Sequence, residues 1–328
     1  MENITIIGSG SWGVALGVYL AGRGHNIKMW SFDEGENEEI NNQKICRYLP
    51  GVKIPDNIKC TTSFEEALDG TKLILHVTPS KFVRNTIKGY EKFVKEDQML
   101  VMCSKGFEAD SNKTMDEVVK EELPNVKFGV LSGPSHAEEV SKNIPTALVI
   151  ASKEQEVIDF VYNAFKSEVL RVYHTDDVKG AEIGGALKNI IAFCAGISFG
   201  LGLGDNSFAA LATRGLVEIE RLGSVLGGNS KTFYGLTGLG DLIVTCGSTH
   251  SRNRRAGELI GKGYTIEEAR KEIGMTIEGV DNIEVAYAMS KKYNVEMPIV
   301  ESVYNVLYNG LKPEEAVKKL MTRDFKAE

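Results

Sequence analysis

Short runs of apolar, often β-branched residues alternate with longer amphipathic segments through the first half of the chain. The apolar runs predict strands at Ile4–Ile7, Asn26–Trp30, Leu73–Val77, Met99–Cys103, Lys127–Leu131 and Ala147–Ile150. The segments between them predict helices at Trp12–Ala21, Phe64–Ala67, Phe82–Phe93, Met115–Glu122 and Glu154–Ala164. Because this alternation is typical of βαβ units, we expect an α/β fold with a mainly parallel sheet.

After about residue 176 the pattern is helical throughout. It predicts helices at Val178–Ile197, Asn206–Leu226, Asn253–Gly261, Thr265–Glu272, Asp281–Lys292, Met297–Tyr308 and Pro313–Thr322. Thr265 with Glu268 resembles a capping box, and Pro313 suits a first helical turn. No Pro/Gly/Ser linker separates the halves, so we predict domains at residues 1–177 and 178–328 with a cleft between them.

The bulk composition is that of an ordinary globular chain of 328 residues, 42% hydrophobic and 25% charged. A net charge of −7 argues against nucleic acid or an acidic membrane as a partner of the whole surface, so anion binding needs a local cluster. The five cysteines form no CxxC pair and no zinc-ligand spacing, which favours a reducing compartment and predicts no metal site.

The apolar segments indicate neither an export signal nor a membrane span. The chain starts with an apolar strand and has no basic leader or cleavage pattern, so we expect a cytoplasmic protein. The most apolar later stretch, residues 183–203, contains Lys188 and several glycines. We therefore predict a buried helix there and no membrane span.

The first predicted strand runs directly into a GxGxxG loop, Gly8-Ser9-Gly10-Ser11-Trp12-Gly13. In a strand–loop–helix context, Gly8 allows the tight turn, Gly10 lets the backbone approach a pyrophosphate, and Gly13 permits close helix packing. Ser11 and Trp12 open the predicted helix, whose N–H groups suit phosphates. The loop predicts a Rossmann dinucleotide-binding domain at residues 1–177, with the all-helical second domain for the substrate.

In such domains, residues at the end of the second strand contact the adenosine ribose of the cofactor. Here Trp30-Ser31-Phe32-Asp33-Glu34 contains no Arg, Lys or His, so a 2′-phosphate would meet no nearby cation in this stretch. We predict that NAD(H) is preferred, with NADP(H) as a second cofactor, and that Phe32 contacts the cofactor. The alternative is that Asp33 and Glu34 are only loop residues.

Two lysines are candidates for chemistry on a substrate oxygen. Lys188 lies inside the most apolar helix, where burial would lower its pKa and suit proton transfer; the alternative is a lysine that extends to solvent from a core helix. The next residue, Asn189, has an amide that suits a substrate hydroxyl or carbonyl. Lys105 follows a strand end and is expected to face the ligand crevice, unless it is a solvated turn residue.

Other candidates lie on turns and loops. Gly238-Leu239-Gly240-Asp241 predicts a tight turn whose carboxylate orients a substrate hydroxyl, pairs with Lys188 or caps the next segment. Thr245, one helical turn later, adds a hydroxyl. Phe82 follows a strand end and is either a cofactor contact or a core residue.

A basic cluster, Ser251-Arg252-Asn253-Arg254-Arg255, stands out in this acidic chain. Arginine and backbone N–H groups at a helix start match a phosphate monoester. We expect Arg254 and Arg255 on the solvent side. A nucleic-acid interpretation of the cluster is disfavoured because the surrounding domain is acidic.

Spaced motifs throughout the chain resemble NAD(P)-dependent glycerol-3-phosphate dehydrogenases: GSGSWGVAL at 8–16, KMW at 28–30, CSKGFE at 103–108, SGPSHAEE at 132–139, GGALKNIIA at 184–192, TGLGDLIVTC at 237–246, SRNRRAG at 251–257, IEGV at 277–280 and YNVEMPI at 293–299. The resemblance implies reversible reduction of dihydroxyacetone phosphate to sn-glycerol 3-phosphate, which supplies phospholipid synthesis, and a homodimer. The WSFDE stretch departs from the common bacterial form, which carries His or Arg near Phe32, and is similar to the NAD-linked eukaryotic form.

The resemblance also assigns roles to individual residues. Lys188 is the proton donor and acceptor, and Lys105 lies between nicotinamide and substrate and polarises the C2 oxygen. His136 is a loop residue and not the base. The remaining assignments are Gly133 and Ser135 to the substrate, Ala137 and Glu278 to the cofactor, Ser251, Arg252 and Asn253 to the substrate phosphate, and Arg252 to the cofactor as well.

Two other functions stay open on the residues alone. A β-hydroxyacid dehydrogenase of the 6-phosphogluconate type also combines a Rossmann half with a helical half and a buried lysine, although the motifs at 237–257 favour the glycerol phosphate family. A non-catalytic dinucleotide-sensing scaffold would keep the glycine loop and lose Lys188 or Lys105, and both lysines are present.

Overall fold

The computed structural model describes residues 1–324. The chain divides into two units. The first comprises Met1–Glu108 and Lys113–Glu182, and the second comprises Ala109–Asn112 and the residues from Ile183 onward. The predicted boundary after residue 177 lies a few residues before this division, at the start of a long helix that runs from one unit into the other.

Within the described residues, eight strands form one sheet in the first unit: β1 (Asn3–Ile7), β2 (Asn26–Trp30), β3 (Ile58–Thr61), β4 (Leu73–His76), β5 (Met99–Met102), β6 (Lys127–Ser132), β7 (Thr146–Ala151) and β8 (Leu170–Thr175). The strand order is β3-β2-β1-β4-β5-β6-β7-β8. Only the β6–β7 pair is antiparallel among these strands, which confirms the predicted mainly parallel sheet.

The two edge strands were not predicted. β3 has four residues, too few to form a clear apolar run. β8 alternates buried Leu170 and Val172 with exposed Arg171 and Tyr173, as an edge strand with one solvent face does. The inner strands are apolar on both faces, because helices cover both sides of the sheet.

The helices follow the predicted positions within a few residues, with additional short helices. They are α1 (Ser11–Gly22), α2 (Glu34–Glu38), α3 (Phe64–Leu68), α4 (Val83–Tyr90), α5 (Met115–Glu122), α6 (Ala137–Val140), α7 (Gln155–Phe165), α8 (Val178–Gly200), α9 (Asp205–Val225), α10 (Ser230–Phe233), α11 (Asp241–Gly247), α12 (Arg252–Gly261), α13 (Ile266–Ile273), α14 (Glu278–Lys292), α15 (Pro298–Tyr308) and α16 (Pro313–Met321). The predicted continuous helix Phe82–Phe93 is instead α4 between two 3₁₀ turns. The capping box at Thr265 and the proline at the start of α16 are both present.

Helix α8 is the central element for the second unit. It is long and apolar enough to cross a membrane, but 89% of its apolar window is buried inside the protein, as in the core helix of a globular domain. It packs unusually closely on α12: a Cβ on Gly257 would lie 1.9 Å from the carbonyl oxygen of Phe193. Glycine at 257 therefore lets the two backbones touch, which fixes the start of α12 relative to α8.

Candidate active site

The glycine loop after β1 has the predicted geometry. Gly8 has φ +118°, where a side chain is strained, and its N–H donates to the carbonyl oxygen of Trp30 at 2.9 Å. A Cβ on Gly13 would lie 2.1 Å from the Gly8 carbonyl oxygen, so only glycine lets α1 approach the loop this closely. By contrast, the Cβ position at Gly10 faces open space, with no described atom within 4 Å apart from Gly10 and its chain neighbours.

These features fit a dinucleotide. The loop lies where the strand order reverses between β1 and β4, which is where open α/β sheets bind their ligands. Ser11 and Trp12 begin α1, so their backbone N–H groups have no helical partner and suit the pyrophosphate. The open space over Gly10 leaves room for that group.

The segment after β2 is built around buried Glu36 and exposed Phe32. The Glu36 carboxylate accepts hydrogen bonds from the hydroxyls of Ser9 and Ser31, which ties the segment to the glycine loop. Asp33 caps α2 by accepting from the Glu36 N–H at 2.9 Å. Phe32 is 80% exposed, so its ring is available to a ligand.

The expectation that a 2′-phosphate would find no cation near this segment was wrong. The Nη2 of Arg47 lies 3.2 Å from the position that a Cβ on Gly35 would occupy. Arg47 was not predicted here, because the chain returns to this place only after a π-helical turn and a bend. A basic residue following the second strand within the same loop was the available signal.

Lys105 lies just beyond β5 and reaches the loop after β6. Its Nζ donates to the carbonyl oxygen of Gly133 at 3.1 Å, and the hydroxyl of Ser135 donates to the same oxygen at 2.9 Å. Gly133 has φ +125°, and a Cβ there would lie 3.2 Å from the Ala147 carbonyl oxygen. The ammonium is therefore anchored at the carboxyl ends of two neighbouring strands, the expected position for a ligand-facing lysine.

The loop continues directly into a short helix. His136 occupies the position before α6, outside the helix, as expected for a loop residue. Ala137 is the first residue of α6 and is 7% exposed. Phe82 ends a 3₁₀ turn after β4 and is 50% exposed, so the alternative of a core phenylalanine is wrong.

The second unit holds a buried ion pair around Lys188. Its Nζ donates to Asp241 Oδ1 at 2.7 Å and to the Thr245 hydroxyl at 2.6 Å. The side chains of Lys188 and Asp241 are 7% and 2% exposed. The lysine therefore does not extend to solvent, and the predicted pairing with Asp241 is present.

Asp241 is presented differently from the prediction. Residues 236–240 form a π-helical turn and not a tight turn, and Asp241 follows as the first residue of α11. Its carboxylate bonds to Lys188 and lies near the hydroxyl of Thr245, one turn later. A Cβ on Gly184 would lie 2.9 Å from the Thr237 carbonyl oxygen, so the small residue on α8 permits this approach.

A chain of amide contacts links α8, α12 and α14. Asn253 donates to Asn189 Oδ1 at 2.9 Å and accepts from the Gly279 N–H at 2.8 Å. Asn189 donates in turn to Glu278 Oε2 at 3.2 Å. Both the nitrogen and the oxygen of the Asn253 amide thus bond to protein groups, so this side chain fixes the position of Asn189 and of the start of α14.

The basic cluster opens α12. Ser251 caps the helix by accepting from the Arg254 N–H, and Arg252 donates to the Thr276 carbonyl oxygen at 3.2 Å. Arg255 is exposed, as expected. Arg254 is only half-exposed, because its guanidinium carbon lies 4.3 Å from the ring centre of Phe199.

The thiols near these groups are unsuited to nucleophilic chemistry. Burial raises the pKa of Cys103, beyond β5, and of Cys246, in α11, to about 12. Both thiols therefore stay protonated at neutral pH.

Comparison with known proteins places the chain in a family. The model described as "NAD-dependent glycerol-3-phosphate dehydrogenase N-terminus" matches residues 3–158, and the corresponding C-terminus model matches residues 177–318. The chain belongs to the NAD-dependent glycerol-3-phosphate dehydrogenase family. This decides against the 6-phosphogluconate-type alternative and confirms the predicted resemblance, fold class and enzyme class.

Individual relatives agree along the whole length. A glycerol-3-phosphate dehydrogenase (NAD(P)+) from Fusobacterium nucleatum is 49% identical, over 100% of this chain and 99% of that protein. The one from Clostridium tetani is 47% identical, over 100% and 94%. The crystal structure of glycerol-3-phosphate dehydrogenase from Coxiella burnetii is 38% identical with a TM-score of 0.95, over 98% of this chain and 99% of that one.

Proposed function

We propose that the protein interconverts dihydroxyacetone phosphate and sn-glycerol 3-phosphate with a nicotinamide cofactor. The observation that carries this proposal is the buried Lys188–Asp241–Thr245 cluster in a chain of this family. It provides a buried nitrogen that can donate a proton to the substrate oxygen, as reduction of a ketone requires. We propose NAD(H) as the preferred cofactor, with NADP(H) as a second one.

The cofactor fits the glycine loop of the first unit. When bound, it supplies the hydride that adds to C2 of the ketone. Gly8, Gly10 and Gly13 shape the loop for the pyrophosphate, and the N–H groups of Ser11 and Trp12 bind it. Exposed Phe32 and Phe82 are proposed as cofactor contacts, with Ala137, Arg252 and Glu278.

Lys188 is the proposed proton donor to the C2 oxygen, and the acceptor in the reverse direction. A buried ammonium is stable only with a compensating charge, which Asp241 provides at 2.7 Å. The hydroxyl of Thr245 fixes a second direction of the same nitrogen. These two contacts hold the lysine nitrogen in a fixed orientation.

Lys105 is the second proposed catalytic residue. Its contact with the Gly133 carbonyl oxygen holds the ammonium at the strand ends, where it would polarise the C2 oxygen. Gly133 and Ser135 are proposed to contact the substrate. Because Gly133 carries no side chain, substrate atoms can approach its backbone closely.

The substrate phosphate is proposed to bind at the start of α12. Ser251 and Arg252 provide a hydroxyl, N–H groups and a guanidinium fork, a set that matches a phosphate monoester. Asn253 belongs to this group and also holds Asn189, whose amide is proposed to contact a substrate hydroxyl. The link ties phosphate binding to the residue next to Lys188.

A Lys188→Ala variant tests the proposal. We expect loss of turnover by about a thousandfold or more, with the Kd for NADH changed less than about twofold, because the lysine is proposed to act on the substrate oxygen. Lys271→Ala, which removes an exposed lysine on α13, is the matched control and should keep full activity. Undiminished turnover of Lys188→Ala would refute the role assigned to this lysine.

The cellular setting is proposed by resemblance. We propose a cytoplasmic homodimer whose product feeds phospholipid synthesis. Light scattering on the purified protein should give twice the chain mass of 35.9 kDa. A monomer at micromolar concentration would contradict the dimer.

A further inference from the structure

The loop that follows β2 carries a cation and carboxylates at one place. Arg47 Nη2 and Asp33 Oδ1 lie 3.2 and 2.9 Å from the same point, the Cβ position of Gly35. This surface directly follows the strand whose end faces the adenosine ribose in Rossmann domains. Arg47 and Asp33 therefore lie on the segment where a group on the ribose 2′-oxygen is expected.

Glu39 holds Arg47 in this position. Arg47 Nε lies 2.8 and 3.0 Å from the two carboxylate oxygens of Glu39, and Nη2 lies 2.7 Å from Oε1. The side chain of Glu39 is 17% exposed and that of Arg47 is 44% exposed. Hydrogen bonding to Arg47 lowers the pKa of Glu39, so the carboxylate is ionised at neutral pH.

The Glu39–Arg47 pair lies nearer the surface than the neighbouring groups of this loop, which are buried. Glu36 is buried and accepts from both Ser9 and Ser31, so its carboxylate is committed to the fold. Cys46, beside Arg47 in sequence, is 5% exposed, and its thiol contacts the Ser9 carbonyl oxygen at 3.8 Å. The backbone at Arg47 is thus anchored to the glycine loop while its side chain reaches the surface.

We propose that Glu39 sets the preference for NADH over NADPH by occupying the guanidinium fork of Arg47. The inference rests on the proposed nicotinamide cofactor and names the pair that distinguishes its two forms. An arginine fork is the preferred partner of a phosphate, and here a carboxylate occupies the Nε and Nη2 side of that fork. The same carboxylate, with Asp33, repels a 2′-phosphate, whereas the 2′-hydroxyl of NADH meets no such repulsion.

Direct binding of the two reduced cofactors tests this without substrate, through the fluorescence change of each cofactor. Glu39→Gln should lower the Kd for NADPH about tenfold and leave the Kd for NADH within about twofold, because one charge-assisted contact is gained. The matched control is Glu38→Gln, which removes the same charge one residue earlier, where the carboxylate accepts from Asn42 at 2.5 Å. This control should shift both Kd values less than about twofold.

The double variant Glu39→Gln/Arg47→Ala identifies the partner of the phosphate. It should lose the gain in NADPH affinity, and adenosine 2′,5′-bisphosphate should compete about tenfold better only with Glu39→Gln. An unchanged NADPH/NADH ratio in Glu39→Gln, or a gain that survives in the double variant, would overturn the inference while NADH binding still supports the proposed function. Glu39→Ala repeats the test, and circular dichroism checks that each variant is folded. Absence of dinucleotide binding by the unmodified protein would instead refute the proposed function itself.

Discussion

Removal of the Asp241 carboxylate is expected to destabilise the protein strongly. The carboxylate is 2% exposed and lies 2.7 Å from the Lys188 ammonium, whose side chain is 7% exposed. Deleting one partner of such a buried pair leaves the other charge uncompensated, which costs about 3–5 kcal/mol. For a unit of this size, 3 kcal/mol corresponds to a fall of roughly 6–12 °C in Tm.

A double-mutant cycle separates stability from catalysis. Asp241→Asn and Lys188→Met each leave a buried charge, whereas the double variant leaves none and should regain about 2–3 kcal/mol relative to the sum of the single changes. Urea unfolding measures the free energy of each variant, and NADH oxidation measures turnover. We expect all three variants to lack turnover, because each lacks the charged pair. A coupling below about 0.5 kcal/mol, or turnover in the double variant, would refute this reasoning.

Further predictions concern packing and pH. Gly257→Ala should lower the free energy of unfolding in urea by about 2–3 kcal/mol and raise the KM for dihydroxyacetone phosphate, because a Cβ 1.9 Å from the Phe193 carbonyl oxygen must push α12 away. Gly247→Ala is the control, since its Cβ position faces open space, and it should change neither the free energy of unfolding nor the KM. Burial lowers the pKa of His76 to about 3, so unfolding takes up a proton below pH 6.5 and the free energy of unfolding should fall with pH towards 3. The slope should exceed that of His76→Gln by about 1 kcal/mol per pH unit near pH 5, and equal slopes would contradict this.

The elements that depend on local pattern could be predicted from the sequence. The glycine loop is contiguous, and its required backbone angles and close approaches are properties of glycine itself, so the turn at Gly8 and the packing at Gly13 followed from six residues. The long helices of the second unit followed from apolar periodicity. Lys188 was recognised as unusual because its neighbours on the helix are apolar.

Contacts between residues distant in sequence were the part that could not be predicted with certainty. Asp241 had three predicted roles, of which pairing with Lys188 was one, and only the fold brings the two side chains within 2.7 Å. Arg254 was predicted on the solvent side, and the contact of its guanidinium with the ring of Phe199 had no signal in the sequence. Arg47 was missed because it lies outside the stretch Trp30–Glu34 on which the prediction rested, and only the fold brings it beside Gly35.

The most direct test of the proposed activity is the absorbance of NADH after dihydroxyacetone phosphate is added to the purified protein, with NADPH as the parallel measurement. We expect rapid oxidation of NADH and much slower oxidation of NADPH, with formation of sn-glycerol 3-phosphate. Folded protein that binds NADH but oxidises neither cofactor would contradict the central claim.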